Sequence, residues 1–338
     1  MNAGRLMPAA LRPMAAGAWR AWTGHAVTAE LRRMAASGRP VVVGPWLGEV
    51  GFELLYWRPF LEWAVEACGF DRTRLVVVSR GGPAAWYGRV STRYRDAFEF
   101  LTPEALAGMS RERVATFGEQ KQVRLAKAEA DLVARVASAE GLERPEVLHP
   151  GLMFRLFNPF WWRHADESWV RSHARFQLLP PAASPGVELP ERFTAVKFYF
   201  NEAFPATADN RAAAERIVRE LSEEGPVVSL ATGLRVDDHA AWEEEAQAAQ
   251  RGVPAPVPST NLAMQDAIVA RASAWAGTYG GFAYLAPSRG VPARAVYSNP
   301  AGFSKTHLAL AQAVFRGFGR DLLTVSPVEG APAVAVAS

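Results

Sequence analysis

The chain contains 338 residues, of which 49% are hydrophobic and 21% are charged, a mixture typical of a soluble protein of about two domains. A formal net charge of +3 is too small to indicate nucleic-acid binding, and a single cysteine, Cys68, excludes an intramolecular disulfide. The sequence contains no run of about 18 apolar residues, so it predicts no transmembrane helix.

The N-terminal segment is basic. Its first 40 residues contain six arginines and one acid, Glu30. We interpret residues 1–38 as an arm with one short helix over 29–35, which is either a poorly ordered tail or a segment that lies on an anionic membrane surface. The segment lacks the continuous apolar core of a signal peptide, which predicts a cytoplasmic protein and leaves open peripheral contact with the inner membrane face.

The pattern over residues 41–64 is that of a strand, a loop and a helix. Three valines predict a buried strand, and an apolar run with helical spacing follows the loop. In open parallel sheets, ligands bind where a strand ends and its helix begins. Glu49 and Glu53 stand at that junction, and we expect them to contact a bound ligand. The alternative for Glu49 is a charge that stabilises the helix N-terminus.

The loop of this first unit contains Gly44, Gly48 and Gly51. Their spacing matches neither the dinucleotide-binding fingerprint nor the phosphate-binding P-loop, so dehydrogenase and ATPase functions lose their main support. Glycines still allow a ligand to approach the backbone closely. We therefore place Trp46, Gly48 and Gly51 on one wall of a binding cleft.

Further strands and helices alternate along the chain, which predicts an α/β fold with two doubly wound domains. We assign a first domain to 39–178, a proline-rich linker to 179–190, a second domain to 191–326 and a disordered tail to 327–338. The strands and helices predicted after residue 64 are 74–79, 98–101, 119–142, 147–148, 193–200, 210–223, 227–230, 262–272, 273–276, 282–288, 291–297 and 308–316. The aromatic segment 153–162 is either core or an acceptor platform, and packing is the expected role.

The loop from Gly277 to Gly281 is the strongest candidate for anion binding. It contains Thr278, Tyr279 and Gly280, follows a predicted strand and opens a helix, whose N-terminal amides and dipole favour an anion. The alternative is a plain turn.

Other donor-side candidates follow the strands of the second domain. Lys197 interrupts an apolar strand, and buried lysines are rare unless they are paired or functional. Asn201 and Arg211 come after that strand, and an arginine fork suits diphosphate oxygens. Thr232 and Gly233 follow the next strand. The six histidines have no metal-binding spacing, and the acidic pair Asp237–Asp238 is more simply a solvated surface feature.

The segment DAIVARASAWAGTYGGFAYLAPSRGVPARAVY, over residues 266–297, resembles the donor domain of GT-B glycosyltransferases. Heptosyltransferase-like and fucosyltransferase-like families are the most similar, and residues 41–64 resemble the first strand–helix turn of their acceptor domain. The chain departs from these families in lacking the E-x7-E motif of retaining enzymes and the His-Val-Arg-Arg motif of fucosyltransferases, in whose place it has VKFYFN.

The resemblance implies two Rossmann-like domains facing a cleft and an inverting, metal-independent transfer from a nucleotide-sugar to an acceptor hydroxyl, with no cofactor. It also implies a place in bacterial glycan biosynthesis, with a glycan, lipid-linked or small-molecule acceptor. Glu49, the first choice, or Glu53 would then take the acceptor proton, and Trp46, Gly48 and Gly51 would lie on the acceptor side. Lys197, Arg211 and the 278–281 amides would stabilise the leaving diphosphate. The alternatives are a nucleotide-sugar epimerase, another phosphosugar enzyme, or a non-catalytic nucleotide- or glycan-binding protein.

Overall fold

A computed structural model describes residues 12–118, 121–230, 240–241 and 257–331, with side chains described from residue 17 onward and not for 240–241. Two parallel sheets form its framework, one in each half of the chain. The expected α/β class with two sheet-based units is therefore confirmed. Among the described residues, no helix is long and apolar enough to span a membrane.

The N-terminal half is built on four parallel strands. They are β1 (Val41–Val43), β2 (Leu75–Ser79), β3 (Tyr94–Asp96) and β4 (Glu146–Leu148). Their order is β3-β2-β1-β4, with Val42 paired with Val76 on one side and Val147 on the other. Val41 and Val43 belong to one hydrophobic cluster and Val42 to another, so both faces of the sheet are covered. This explains why β1 is an unbroken apolar run.

The third strand was predicted at 98–101 but lies at Tyr94–Asp96. The Asp96 carboxylate accepts a hydrogen bond from the Phe98 amide, and the Glu99 side chain accepts one from the Asp96 amide. This reciprocal capping turns residues 97–99 into a 3₁₀ turn, where a strand was expected.

The helices of the N-terminal half cover both faces of its sheet. They are α1 (Arg12–Ala36), α2 (Val50–Phe52), α3 (Arg58–Cys68), α4 (Pro103–Phe117), α5 (Lys127–Ala139), α6 (Pro150–Trp161) and α7 (Glu167–Ser172). Helix α1 has 25 residues, so the short helix predicted at 29–35 was wrong in length. Its buried residues Val27, Leu31 and Met34 recur at helical spacing and join the same core as α3 and α6. The helix predicted at 119–142 begins only at Lys127.

Helices α2 and α3 are joined by a π-helical turn, Glu53–Trp57. Pro59 has no amide to donate to the preceding turn, and in this turn the Arg58 amide instead donates to the Glu53 carbonyl. The three segments together form the helix predicted after β1. Glu53 stands at its widened turn.

The C-terminal half is built on five parallel strands and a short antiparallel pair. The strands are β5 (Thr194–Lys197), β6 (Tyr199–Phe200), β7 (Val227–Ser229), β8 (Ala240–Ala241), β9 (Ala274–Thr278), β10 (Ala293–Tyr297) and β11 (Leu323–Pro327). The parallel order is β11-β10-β9-β5-β7, and β6 pairs with β8. The helices are α8 (Ala208–Glu224), α9 (Asn261–Val269), α10 (Leu285–Ser288) and α11 (Lys305–Arg316).

The two halves are connected by residues 173–193, which contain neither helix nor strand and include the predicted linker, 179–190. Leu179 donates its amide to the Ser288 carbonyl at 2.8 Å, so this segment is attached to the C-terminal half. One hydrophobic cluster includes residues of both halves, among them Phe157 and Trp275. Of the tail predicted to be disordered, 327–331 is described, and Pro327 ends β11.

Candidate functional site

A cleft of about 970 Å³ is lined by residues from both halves of the chain. In the first sheet β1 lies between β2 and β4, and in the second sheet β9 lies beside β5. Between β1 and β4, and between β5 and β9, the strand order reverses, because the chain adds strands first on one side of the starting strand and then on the other. The ends of such strands form the crevice in which open α/β sheets bind ligands. The loops that follow β1 and β9 supply part of the cleft wall.

Glu49 is exposed and lines the cleft. It is the residue before α2, and its carbonyl accepts the Glu53 amide at 3.1 Å. Tyr284 lies on the opposite wall, and its hydroxyl is 2.9 Å from that of Tyr279. Burial, reinforced by the charge of Glu49, raises the pKa of Tyr284 to about 12. Glu49 is therefore close enough to act electrostatically across the cleft.

Glu53 does not line the cleft. Its side chain is 0% exposed, and Oε1 accepts hydrogen bonds from Ser79 Oγ at 2.5 Å and from the Tyr87 hydroxyl. Burial raises the pKa of Glu53 to about 7, although the charge of Arg80 opposes the shift. The structure thus separates the two predicted carboxylates: Glu49 faces the cleft, and Glu53 lies behind its wall.

The glycines of the two loops allow the halves to meet backbone to backbone. A Cβ on Gly51 would lie 2.3 Å from Gly281 Cα, and a Cβ on Gly281 would lie 2.7 Å from Gly51 N. Within the second sheet, a Cβ on Gly277 would lie 2.0 Å from the Lys197 carbonyl oxygen. Close packing therefore explains Gly51, and also Gly277 and Gly281, which the sequence suggested were part of an anion-binding loop. Gly281 opens a 3₁₀ turn of four residues, Gly281–Tyr284, followed by the four-residue α10.

The other members of the predicted anion loop have structural partners. Thr278 is fully buried, and its hydroxyl donates to the Tyr199 carbonyl at 2.8 Å and accepts its amide at 3.1 Å. A Cβ on Gly280 would lie 2.2 Å from the Tyr199 hydroxyl. Asn201 donates to the Tyr279 carbonyl at 3.1 Å. Of these residues, Asn201, Tyr279 and Gly280 line the cleft. Thr278 instead connects β9 to β6, the strand that contains Tyr199.

The two predicted donor-side cations do not line the cleft. Lys197 donates to Gln265 Oε1, and its Nζ lies 4.0 Å from the centre of the Phe282 ring. Arg211 is exposed on α8, with its guanidinium 4.6 Å from the centre of the Phe200 ring. The sequence assigned Lys197 to the leaving diphosphate, whereas in the structure its head group contacts Gln265 and Phe282.

Three of the predicted features fall outside the described residues: Thr232, Gly233 and the pair Asp237–Asp238. In the part of the chain that the structure describes, no three His, Cys, Asp or Glu side chains group in a way that could hold a metal ion. The acceptor-side candidates Trp46, Gly48 and Gly51 all line the cleft, as expected. Trp46 is buried and stacked on Trp57, with ring centres 5.8 Å apart.

Sequence reasoning missed the cleft residues that come from other parts of the N-terminal half. Arg80, Arg113, Lys121 and Gln122 all line the cleft. The guanidinium of Arg80 donates to the Gly48 carbonyl, next to Glu49. These residues form no local motif, because four separate tertiary contacts bring them together. The one available signal was Arg80, which directly follows the buried strand β2.

His307 and Tyr56 connect the two halves at the edge of the cleft. The Tyr56 hydroxyl lies 3.0 Å from His307 Nδ1, and Trp161 stacks on the imidazole with ring centres 6.4 Å apart. Burial, together with the charge of Lys121, lowers the pKa of His307 to about 4. The imidazole is therefore neutral near pH 7, which suits hydrogen bonding to Tyr56 better than the charge pairing expected of a phosphate ligand.

Comparisons with known proteins give structural similarities of low score. A scan of protein-family models finds no match, and a search of curated proteins finds none either. The solved glycosyltransferase TibC from enterotoxigenic E. coli, described as bacterial, iron-containing and dodecameric, is 14% identical with a TM-score of 0.38. The match covers 79% of this chain and 60% of the TibC chain, so this chain spans less than two thirds of that protein.

Two other solved structures are similar over the same share of this chain. A family 9 glycosyltransferase from Veillonella parvula is 14% identical with a TM-score of 0.39, and 83% of its chain is covered. The E. coli heptosyltransferase WaaC, solved with ADP-2-deoxy-2-fluoro heptose, is 13% identical with a TM-score of 0.36, and 91% of its chain is covered.

Proposed function

We propose that this protein is an inverting glycosyltransferase of the GT-B type that moves a sugar from a nucleotide-diphosphate donor to an acceptor hydroxyl without a metal ion. The observation that carries the proposal is the position of Glu49. Its exposed carboxylate lies on the cleft wall that follows β1, across from the wall that follows β9. A carboxylate facing a cleft between two parallel sheets can take a proton from a bound hydroxyl.

In this mechanism Glu49 removes the acceptor proton as the hydroxyl oxygen attacks the anomeric carbon. The bond from that carbon to the diphosphate breaks on the opposite face, so the configuration inverts. The leaving diphosphate then belongs on the C-terminal wall, which Asn201, Gly280 and Tyr284 line. Lys197 and Arg211 have no part in this step, because neither lines the cleft.

The base assignment is tested by Glu49→Gln, which keeps the shape of the side chain and removes the carboxylate. We expect kcat to fall by about 10²–10⁴-fold, with Glu49→Asp retaining part of the activity. Glu188→Gln, an exposed carboxylate in the linker, is the control. Full kcat in Glu49→Gln at unchanged stability would remove Glu49 from the mechanism.

The donor class is tested by thermal-shift measurements with UDP, GDP, ADP, TDP and CMP. We expect one of them to raise the midpoint of unfolding, and a response to none would overturn the nucleotide-sugar proposal. Turnover assays with EDTA test the metal-independent mechanism, which predicts unchanged rates. An epimerase would instead convert the nucleotide-sugar with no acceptor present, and a binding protein would bind it without turnover.

A further inference from the structure

The positive charge of the cleft lies on one wall. Among the described residues that line it, Arg80, Arg113 and Lys121 are the cationic side chains, and all three belong to the N-terminal half. The described lining residues of the C-terminal half include one charged side chain, Glu202, and the neutral His307. The cations therefore share a wall with Glu49.

Arg113 is held in place by a buried network. Its side chain is only 3% exposed, and its guanidinium donates to Glu129 Oε1 at 2.7 Å. The carboxylate of Glu129 is 0% exposed and also accepts from Gln122 Nε2 at 2.9 Å and from the Ala126 amide at 2.8 Å. Burial alone would raise the pKa of Glu129, but contacts with His149 and Ala126 and the charge of Arg113 keep it below its usual value. A buried carboxylate thus fixes a buried guanidinium at the edge of the cleft.

The same network fixes the loop that follows β1. Gln122 Oε1 accepts the Leu47 amide at 2.8 Å, and its Nε2 donates to the Pro45 carbonyl at 2.8 Å. The loop between these residues carries Trp46, which borders the cleft with a side chain that is buried against Trp57 and Phe154. On the same wall, Lys121 Nζ lies 4.7 Å from the centre of the Phe52 ring. Charged groups and aromatic faces are therefore presented together, on a rigid support.

We propose, on the basis of the transferase function proposed above, that this wall binds a carboxylate or phosphate group of the acceptor, so that the acceptor is an acidic saccharide whose anion pairs with Arg113 and Lys121. Guanidinium and ammonium groups bind both anions by charge-assisted hydrogen bonds.

The donor diphosphate is the competing ligand for these cations. Inversion requires the leaving group to depart from the face opposite to the attacking hydroxyl. With Glu49 as the base on the N-terminal wall, the diphosphate leaves towards the C-terminal wall. The cations on the wall of Glu49 are thus placed for the acceptor.

The test uses three disaccharides that differ only in the terminal sugar: glucuronate, phosphorylated glucose or neutral glucose. Binding is measured by calorimetry to the full-length protein, so that the result does not depend on turnover. We expect one acidic disaccharide to bind at least about tenfold more tightly than the neutral one, and the better of the two identifies the anion. Equal binding of all three would overturn the proposal, whereas failure of the transferase function would appear as no response to any nucleoside diphosphate.

The residues are tested with Lys121→Met and with the double variant Arg113→Gln/Glu129→Gln, which avoids an unpaired buried carboxylate. We expect the affinity for the acidic disaccharide to fall by about tenfold in each, with nucleotide binding unchanged. Arg111→Met, an exposed arginine of α4, is the matched control. Weaker nucleotide binding with unchanged acceptor binding would assign these cations to the diphosphate and overturn the proposal.

Discussion

At the scale of single residues, burial of the Glu53 carboxyl group makes the stability of the fold depend on pH. Burial raises its pKa from 4.5 to about 7, against the opposing charge of Arg80. Oε1 accepts from Ser79 and Tyr87, whereas Oε2 meets no hydrogen-bond partner among the described residues. A neutral carboxyl costs less to bury than a carboxylate. The folded protein therefore keeps a proton on Glu53 in a pH range where the unfolded chain releases it.

The sign of the resulting pH dependence follows from the raised pKa. The stabilisation by neutral Glu53 is fully present below the unfolded value of 4.5 and is lost as the pH rises through about 7. We expect the free energy of unfolding of the wild type to fall relative to that of Glu53→Gln by about 2–3 kcal/mol between about pH 4.5 and pH 8. Urea unfolding across this range measures the difference. Glu223→Gln, exposed on α8, is the control, and a difference between wild type and Glu53→Gln that does not vary with pH would contradict the prediction.

At the scale of secondary-structure elements, α2 and the turn Gly281–Tyr284 pack so closely that neither glycine tolerates a side chain. A Cβ on Gly51 would lie 2.3 Å from Gly281 Cα, and backbone atoms cannot move aside as a flexible side chain can. We expect Gly51→Ala to push the two elements apart and to lower the free energy of unfolding by about 1–3 kcal/mol. Displacement of Glu49, two residues earlier, would also lower kcat.

Chemical denaturation and kcat measured on the same preparation test this packing. Gly17→Ala is the control, because this glycine also lies in a helix but has no atom within 4 Å of its Cβ position. There we expect a gain in stability of about 0.5–1 kcal/mol. Wild-type stability and kcat in Gly51→Ala would mean that the halves do not meet at this point.

Some features of the secondary-structure elements could be predicted from the sequence, and others could not. Strand β1, the helix after it and the position of Glu49 follow from local apolar patterning, which a buried parallel strand imposes directly. The position of Arg113 depends on an ion pair with Glu129, and that of Gln122 on the Leu47 amide, 75 positions away. Contacts between distant residues leave no periodic signal, so the cationic wall of the cleft could not be predicted.

Glycines and charged residues in the C-terminal half were misjudged for a related reason. Gly277 and Lys197 looked like parts of one anion site because each is unusual for its strand. The structure shows that Gly277 makes room for the Lys197 carbonyl, whereas the lysine head group pairs with Gln265. Residue type alone does not distinguish a glycine required by packing from one required by a ligand.

At the scale of the whole molecule, the two halves are joined on two sides. Away from the cleft, Trp86 donates to Asp266 at 2.9 Å, and the Ala263 amide donates to the Gly81 carbonyl at 2.9 Å. At the cleft, Tyr56 meets His307. The first set joins polar groups beside the shared hydrophobic core, whereas the second joins the walls that would enclose a substrate. Opening of the cleft would therefore break the Tyr56–His307 contact.

This arrangement predicts a measurable coupling between Tyr56 and His307. Their side chains approach to 3.0 Å, and a net hydrogen bond contributes about 0.5–1.5 kcal/mol. We expect a double-mutant cycle of Tyr56→Phe and His307→Phe to give a coupling free energy of that size in urea unfolding at pH 7. Because burial lowers the pKa of His307 to about 4 while the unfolded chain titrates near 6.5, the stabilisation from its neutral form is lost as the pH falls from 6.5 towards 4.

A second double-mutant cycle, Tyr279→Phe with Tyr284→Phe, is the control for this measurement. Their hydroxyls are 2.9 Å apart within the C-terminal half, so their coupling is independent of how the halves meet. Coupling within the Tyr279–Tyr284 pair but none between Tyr56 and His307 would mean that the cleft is open in solution. Coupling in both cycles would mean that the walls meet without substrate, and the proposed nucleotide-sugar would then enter a cleft whose proposed base, Glu49, is already in position.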